Sequence, residues 1–231
     1  MDFNFNKLSE TSFSSNAGAY LKPYEIYNVN LTKIEKTELK GSKDPNAVYP
    51  VVALEFTATE DPKGTFSTNL FIPTTQADID RPVFKNNEGH EYQRPSRFEN
   101  FQYTLMQIVT ALNPAGADKI KENGSKIKTI DQFIDLIIKA LAGKNNVTTK
   151  LKLVGRVNNG TTYAALPNAC GLNKAGEVFP VNFIGDNVFF SNYELTQQKA
   201  YQNAKPTDMA KVENNPDETP SENLDLDGLE F

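Results

Sequence analysis

The order of hydrophobic patterns along the chain limits its fold more than any other feature. Three segments in which apolar and polar residues alternate come first, two segments with apolar residues at helical spacing follow, and alternating segments then return. Alternation is the period of a half-buried strand, and steps of three and four residues are the period of an amphipathic helix. The order therefore predicts a mainly β, α+β fold in which helices are inserted into an antiparallel sheet.

Turn signals separate the predicted strands. Asp61-Pro62-Lys63-Gly64 lies between the second and third strands, and Asn158-Asn159-Gly160 lies inside the returning hairpin. Such residues adopt the tight conformations that a chain reversal needs. The predicted strands cover residues 25–32, 49–57, 65–73, 147–156 and 161–166.

Two helices are predicted between the third and fourth strands. The first runs from Phe98 to Leu112 and is stopped by Asn113-Pro114, and the second follows Thr129, which forms a capping box with Gln132. Residues 74–97 are predicted to be a long polar loop. This arrangement favours a small antiparallel β-barrel of the OB type, closed by the returning strands, with a mixed α+β sandwich as the alternative.

Composition divides the chain into three parts. Residues 1–20 are rich in Asn and Ser and are predicted to be a loosely attached arm. Residues 21–198 hold the patterned segments and are predicted to form the OB-like domain. Residues 199–231 contain almost no large apolar residue before Leu224, which predicts a disordered linker and tail.

The residues that usually carry enzymatic chemistry are scarce. Cys170 is the only cysteine and His90 the only histidine, so neither an intrachain disulfide nor a zinc site of the usual Cys/His kind can form. The sequence contains no phosphate-binding glycine-rich loop, no serine nucleophile elbow and no acidic cluster outside the tail that would hold a metal for nuclease work. We therefore expect a binding protein that has no catalytic residues, no metal and no cofactor.

Membrane association is not expected either. The chain contains no run of about 18 apolar residues, and residues 1–7 lack the pattern of a secretory signal. These features predict a protein of the cytoplasm.

The charge of the chain is divided unevenly. The sequence has 24 basic and 29 acidic residues, but seven of the acidic ones follow residue 212, where there is no Lys or Arg. Residues 1–212 therefore carry 24 basic against 22 acidic residues and a net charge of +2. A cationic body joined to an anionic tail is typical of a protein that binds a polyanion and whose tail occupies the same surface.

The last eight residues combine acidic and apolar side chains. Such a segment is suited to capture by a partner, because apolar side chains fill a pocket while basic groups hold the carboxylates. The alternative is a tail that only increases solubility. The predicted partner-binding residues are Asp225, Leu226, Asp227, Leu229, Glu230 and Phe231.

Two basic regions are candidates for nucleic-acid binding. Three of the four arginines lie in the polar loop, interleaved with rings, and a further basic stripe lies on the fourth strand. Cations follow phosphates and rings stack on unpaired bases, so the pattern favours single-stranded nucleic acid. The alternatives are that the rings only attach the loop to the body and that the stripe is a solvated outer face. The candidate residues are Arg81, Phe84, Lys85, Tyr92, Arg94, Arg97, Lys150, Lys152 and Arg156.

The chain resembles bacteriophage single-stranded DNA-binding proteins of the OB-fold type in residues 225–231 and, more weakly, in residues 21–29. The acidic, Phe-ending tails of that family are similar to those of bacterial single-stranded DNA-binding proteins. The resemblance implies that the tail recruits replication and recombination proteins and competes with DNA for the groove. Those roles would fall on Asp225, Asp227, Glu230 and Phe231. The chain has no Trp, so Tyr and Phe would have to stack on bases.

We therefore expect a sequence-independent single-stranded DNA-binding protein that acts in phage DNA replication, recombination or repair in the host cytoplasm. The main alternative is a non-enzymatic phage module for protein interaction or a virion-associated scaffold. The oligomeric state stays open, and a homo-oligomer is compatible with the sequence.

Overall fold

A computed structural model describes residues 20–204, with gaps at residues 42, 43, 45, 62, 63 and 159. These residues form a mixed α+β fold whose main sheet is antiparallel, as the order of the sequence patterns predicts. Apart from Tyr20, the predicted N-terminal arm lies outside the described residues, and so does the predicted tail from residue 205 onward.

The elements follow one another in the predicted general order, with several additions. The strands are β1 (Glu25–Lys40), β2 (Val48–Ala58), β3 (Thr65–Phe71), β4 (Val83–Lys85), β5 (Glu91–Gln93), β6 (Thr148–Asn158), β7 (Thr161–Ala165), β8 (Cys170–Leu172) and β9 (Val178–Pro180). The helices are α1 (Gln76–Ile79), α2 (Arg97–Leu112), α3 (Pro114–Glu122), α4 (Ile130–Leu141) and α5 (Asn192–Asn203), and a 3-10 turn over Gly124–Lys126 links α3 to α4.

The main sheet is centred on the long strand β1. Its strand order is β3-β2-β1-β6-β7. Residues 25–30 of β1 pair with β6, and residues 29–40 pair with β2 through a register shift between Leu31 and Lys33. One strand thus serves two neighbours with different parts of its length, and the irregularity bends the sheet between them.

Helices α2 and α4 cover one face of this sheet. The alternating residues of the strands meet the apolar stripes of the two helices in a single core. Burial of each large apolar side chain contributes about 1.5–3 kcal/mol. The predicted inward residues Val52, Leu54, Phe56, Leu151 and Leu153 are all buried there, together with Leu105 and Ile108 of α2 and Ile134 and Ile137 of α4.

The predicted closed barrel is not found in the described residues, where β3 and β7 are the two edges of an open sheet. The chain just before β1 lies near both edges. The Leu21 amide donates to the Thr65 carbonyl at 3.1 Å, at the start of β3. The Tyr24 ring lies against Gly155 and Thr162 on β6 and β7. Residues 20–24 therefore connect the edges that strand pairing would join in a barrel.

Two predictions for residues 74–141 were wrong. Residues 74–97 are not a structureless loop, because they form α1 and the β4–β5 hairpin. Three α-helices rather than two lie between this hairpin and β6. Pro114 begins α3 instead of only ending α2, since a proline fits the first turn of a helix, and the Asn113 side chain caps that turn by accepting from the Gly116 amide at 3.1 Å.

The segment after β7 contains elements that the sequence patterns did not predict. β8 and β9 form a second small hairpin, and α5 continues to Asn203, past the predicted start of the linker at residue 199. α5 has no buried residue, so it lacks the apolar stripe that reveals a helix in a sequence. Its signal is the capping box that Ser191 forms with Glu194.

Candidate nucleic-acid interface

The β4–β5 hairpin brings a guanidinium and two rings together. Phe84 and Tyr92 are opposite each other in the register, and their ring centroids are 5.7 Å apart in a stacked arrangement. The Arg94 guanidinium lies 4.4 Å from the centroid of the Phe84 ring and donates to the Tyr92 hydroxyl at 3.1 Å. Each of the three side chains keeps part of its surface in solvent. We call these residues the Arg94 stack.

The turn of this hairpin is formed by a polar side chain and a glycine. The Asn86 side-chain oxygen accepts from the backbone amides of Glu88 and His90 at 3.1 and 2.8 Å. Gly89 has a φ of +83°, which a glycine adopts without strain. Short-range hydrogen bonds therefore form the turn, and strand pairing places Phe84 and Tyr92 side by side.

Two further predicted cations lie close to the Arg94 stack in the chain. Lys85 is paired with Glu91 across the hairpin at 3.3 Å, and Arg97, the first residue of α2, lies 3.4 Å from Asp78. The Arg97 side chain is 83% exposed. Ion pairs this exposed contribute about 0–1 kcal/mol, so either cation can turn to a phosphate at small cost.

Arg81 has a structural role in the described fold. It donates to the Glu99 carboxylate at 2.6 Å and to the Gly176 carbonyl, in the β8–β9 turn, at 2.7 Å. Burial alone would raise the pKa of Glu99, but the hydrogen bonds from Arg81 and Ser96 outweigh it and the pKa is lowered. The guanidinium therefore connects the start of α2 to the β8–β9 hairpin, and its Nε, Nη1 and Nη2 atoms all donate within the fold.

The predicted basic stripe on β6 is interrupted. Lys150 and Arg156 are exposed, but Lys152 is 2% exposed. The Lys152 ammonium lies 2.9 Å from the Glu194 carboxylate of α5 and 3.1 Å from the Phe189 carbonyl. The prediction that Lys152 belongs to an open binding face was wrong, because α5 and the segment before it cover this part of the sheet.

A second pairing of an arginine with a ring lies on the β6–β7 hairpin. Arg156 is directly opposite Tyr163 in the register, and Tyr163 is 55% exposed. Directly opposite residues on neighbouring antiparallel strands place their side chains on the same face. The sequence patterns place Tyr163 on the strand that became β7, but they did not identify it as a site residue. The register of the β6–β7 hairpin was the signal that could have identified it.

Another exposed ring pair lies at the other end of the sheet. Tyr49 of β2 and Phe71 of β3 meet edge to face, with centroids 6.2 Å apart, and both are exposed. The sequence analysis did not select them either. Strand parity alone could not reveal them, because Val51 has the parity of Tyr49 and is fully buried. The signal was the register, which places Val51 opposite Phe71 and so brings Tyr49 diagonal to that ring.

The described residues show no grouping of the kind that holds a metal. No cluster of three or more His, Cys, Asp or Glu side chains is found among them. His90 lies 3.3 Å from Glu88 on the exposed hairpin turn. Cys170 is buried, and this burial, together with the charge of Glu99, raises the pKa of the thiol to about 11. At neutral pH the thiol is protonated, which is the opposite of an activated nucleophile.

Comparisons with protein-family models, curated protein sequences and solved structures give no match for this chain. Within residues 20–204 no helix is both long and apolar enough to cross a membrane. The predicted partner-binding residues 225–231 lie outside the described residues.

Proposed function

We propose that the chain is a sequence-independent single-stranded DNA-binding protein that acts in phage DNA replication, recombination or repair. The Arg94 stack is the observation that carries this proposal. It combines a permanent positive charge with two partly exposed rings on a short hairpin. Rings stack on unpaired bases of any sequence, at about 1–3 kcal/mol per base, whereas the bases of a duplex are already stacked on one another.

The β6–β7 hairpin supports the same function. Arg156 and Tyr163 repeat the combination of a cation and a ring on a second exposed hairpin, and Lys150 adds a charge on the same strand. A single DNA strand that touched both hairpins would stack its bases on rings at two points, and its phosphates would contact the nearby cations. The excess of two positive charges in residues 1–212 has the sign that this function needs.

We also propose that the sheet is an opened variant of the OB type. The order β3-β2-β1-β6-β7, with a long central strand shared between two neighbours, supports this relation. In an OB fold the connection between the last two strands borders the ligand groove. The equivalent connection here is the β6–β7 hairpin, which presents Arg156 and Tyr163.

The acidic tail would compete with nucleic acid for the cations of the body. Residues 213–231 contain seven acidic and no basic residues, so the tail and a nucleic-acid strand are attracted by the same cations. Its apolar residues would serve to recruit replication or recombination proteins in the host cytoplasm. The protein would act without catalysis and without a cofactor.

Substitutions in the two hairpins test the proposal. We expect Tyr163→Ala, and separately Arg94→Ala, to weaken binding of a fluorescent oligo-dT by roughly tenfold, because the first removes a stacking surface and the second removes a cation held against a ring. Fluorescence anisotropy with the full chain measures the affinity. Tyr193→Ala is the matched control, since Tyr193 is a similarly exposed ring on α5. Equal affinities for all these proteins would contradict the assignment of the site, and absence of binding by the unaltered chain would favour the scaffold alternative.

A further inference from the structure

An open apolar pocket lies between the helices, and nothing in the proposed DNA-binding function uses it. It has a volume of about 500 Å³ and lies between α2, α3, the 3-10 turn and α4. This volume falls in the range of about 300–1,000 Å³ that is typical of binding sites. We call it the helical pocket. Its apolar lining includes Phe98, Tyr103, Met106, Ile127, Ile130 and Phe133.

The side chains of this lining are incompletely covered. Tyr103, Met106, Ile127 and Ile130 pack against the core with one side and keep part of their surface exposed. An open hollow of this volume, lined mainly by apolar side chains with a few polar groups, has the usual form of a ligand site. Most of the lining is apolar, so apolar contact contributes most of the recognition of a ligand.

The rim of the pocket defines the charge of that ligand. Of the described residues that line it, the two charged ones, Lys121 and Lys128, are both cationic. The Lys128 ammonium donates to the Ser125 carbonyl, a neutral group, at 2.7 Å. Lys121 lies 3.5 Å from Asp118 with 60% of its side chain exposed, a weak pairing. The pocket is therefore suited to an apolar segment that also carries negative charge.

One segment of this chain has that composition. Residues 224–231 interleave Leu224, Leu226, Leu229 and Phe231 with Asp225, Asp227 and Glu230, and Gly228 shifts the alternation by one residue. In an extended segment successive side chains point to opposite sides, so Leu224 and Leu226 share one side and Leu229 and Phe231 share the other. A turn at Gly228 would bring both pairs to the same hollow while the neighbouring carboxylates face its rim. We propose that residues 224–231 dock in the helical pocket of the same molecule, with the Leu and Phe side chains inside it and the carboxylates at Lys121 and Lys128.

The connecting chain is long enough for this contact. Residues 205–223 separate the end of α5 from the docking segment. They can span up to about 60 Å at roughly 3.3 Å per residue, whereas a domain of this size has a radius of gyration of about 16 Å. Tethering also supplies an effective concentration of the order of millimolar, so a weak contact suffices.

Docking would hide the tail from other proteins. A partner that binds residues 224–231 would have to displace them from the pocket first. Phe98 of the pocket immediately follows Arg97, so the docked tail would also bring negative charge to the helix that begins with one of the proposed DNA-binding cations. The docking itself rests on the pocket and the tail, and it does not require that the protein bind DNA.

The three methionines of the chain provide a direct test in the full-length protein. They are Met1, Met106 and Met209, and only Met106 lines the pocket. The protein is labelled with 13C at the methionine methyl groups, and a spin label is attached at Asn223→Cys. Because Cys170 is buried, the spin label reacts with the introduced thiol at position 223. We expect broadening of the Met106 resonance, which the variant Met106→Leu assigns, whereas Met209, 14 residues from the label, is broadened whether or not the tail docks.

Matched variants make the test specific. Replacing Lys121 and Lys128 by Glu should restore a sharp Met106 resonance, as should replacing Leu226 and Phe231 by Ser. Replacing Lys139 and Lys199, exposed lysines outside the pocket, by Glu should leave the broadening in place. A circular dichroism spectrum and a urea unfolding midpoint equal to those of the parent protein show that each variant is folded.

Two results would overturn the inference. One is a Met106 resonance that is equally sharp with and without the spin label. The other is equal broadening in a mixture of isotope-labelled protein and separately spin-labelled protein, which would mean that the tail comes from a second molecule. Because no DNA is present, these results are independent of the oligonucleotide titrations that test the proposed function.

Discussion

At the scale of single residues, Gly155 shows how a missing side chain can hold distant segments together. A Cβ at this position would lie 2.4 Å from Cε2 of Tyr24 and 2.7 Å from Cγ2 of Thr162. The ring centroids of Tyr24 and Tyr201 also lie 5.7 Å apart. The backbone carbonyl of Tyr24 accepts from the Gln198 side chain at 2.6 Å. The close approach at Gly155 thus connects β6, β7, the start of the domain and α5.

Gly155→Ala is expected to lower the free energy of unfolding by about 1–3 kcal/mol, because the added methyl forces the Tyr24 ring or the strands to move. Urea unfolding followed by circular dichroism measures the change. Gly124→Ala is a suitable control, since a Cβ at Gly124 would meet no atom within 4 Å. Equal unfolding midpoints for the two variants would show that the approach is looser than the structure indicates.

Glu99 couples the stability of the fold to pH. In the folded protein the pKa of Glu99 lies below its ordinary value of about 4.5. The ionised carboxylate therefore stabilises the fold fully above that ordinary value, and this stabilisation is lost as the pH falls through the folded pKa. We expect Glu99→Gln to lower the free energy of unfolding by about 1–2 kcal/mol at pH 7 and by less at pH 3. Urea titrations at both pH values measure the difference. The exposed Glu88→Gln serves as control, and a deficit of equal size at both pH values would contradict this account.

The residue predictions succeeded where strand parity decides burial and failed where a distant segment decides it. Leu151 and Leu153 follow from alternation alone, and both are fully buried. Lys152 has the parity of an outward residue, but its partner Glu194 is 42 residues further along the chain. No local pattern contains that pairing, so the sequence alone could not distinguish Lys152 from the exposed Lys150.

At the scale of elements, the pairing of Lys152 with Glu194 attaches α5 to the sheet. α5 buries none of its own residues, so this buried ion pair and the contacts of Tyr201 and Gln198 hold the helix in place. The Glu194 carboxylate also accepts from the Ser191 amide at 2.7 Å, which starts the helix. One acidic side chain therefore both initiates α5 and fixes its position.

Lys152→Met should lower the free energy of unfolding by about 3 kcal/mol, because it leaves the Glu194 carboxylate without its cation in a largely buried position. The paired variant Lys152→Met with Glu194→Leu should recover much of that loss, since no charge then stays unpaired. Thermal and urea unfolding of both proteins measure the coupling. If Lys152→Met had the same effect as an exposed substitution such as Lys139→Met, the pair would have no structural role.

Long elements with strong periodicity were predictable, and short ones were not. β2, α2 and α4 follow from apolar spacing because each buries several residues along one face, and β3 follows from its alternation around the buried Phe66. α1, β4 and β5 bury no residue, so their sequences carry no spacing signal. They depend on capping and turn hydrogen bonds, such as those of Thr75 with Asp78 and of Asn86 with His90.

At the scale of the whole molecule, the sequence predicted the class of the fold and overstated its closure. Alternation identifies strands and their faces but contains no information on which edges pair, because edge pairing depends on contacts between residues far apart in sequence. Here the segment with Leu21 and Tyr24 lies near both edges that a barrel would join. The same reason explains why Tyr163 and Tyr49 emerged as surface candidates only once the register was known.

For the whole molecule we propose that the cationic body binds unpaired nucleic acid and that the acidic tail opposes this binding. The most direct measurement is an anisotropy titration of labelled oligo-dT with the full chain and with residues 1–212, at several salt concentrations and with a duplex of equal length as competitor. We expect residues 1–212 to bind oligo-dT more tightly than the full chain, and both proteins to prefer the single strand. The logarithm of the binding constant should fall by roughly 0.7 for each phosphate contacted when the salt concentration rises tenfold. Absence of binding to oligo-dT by both proteins at low ionic strength would contradict it.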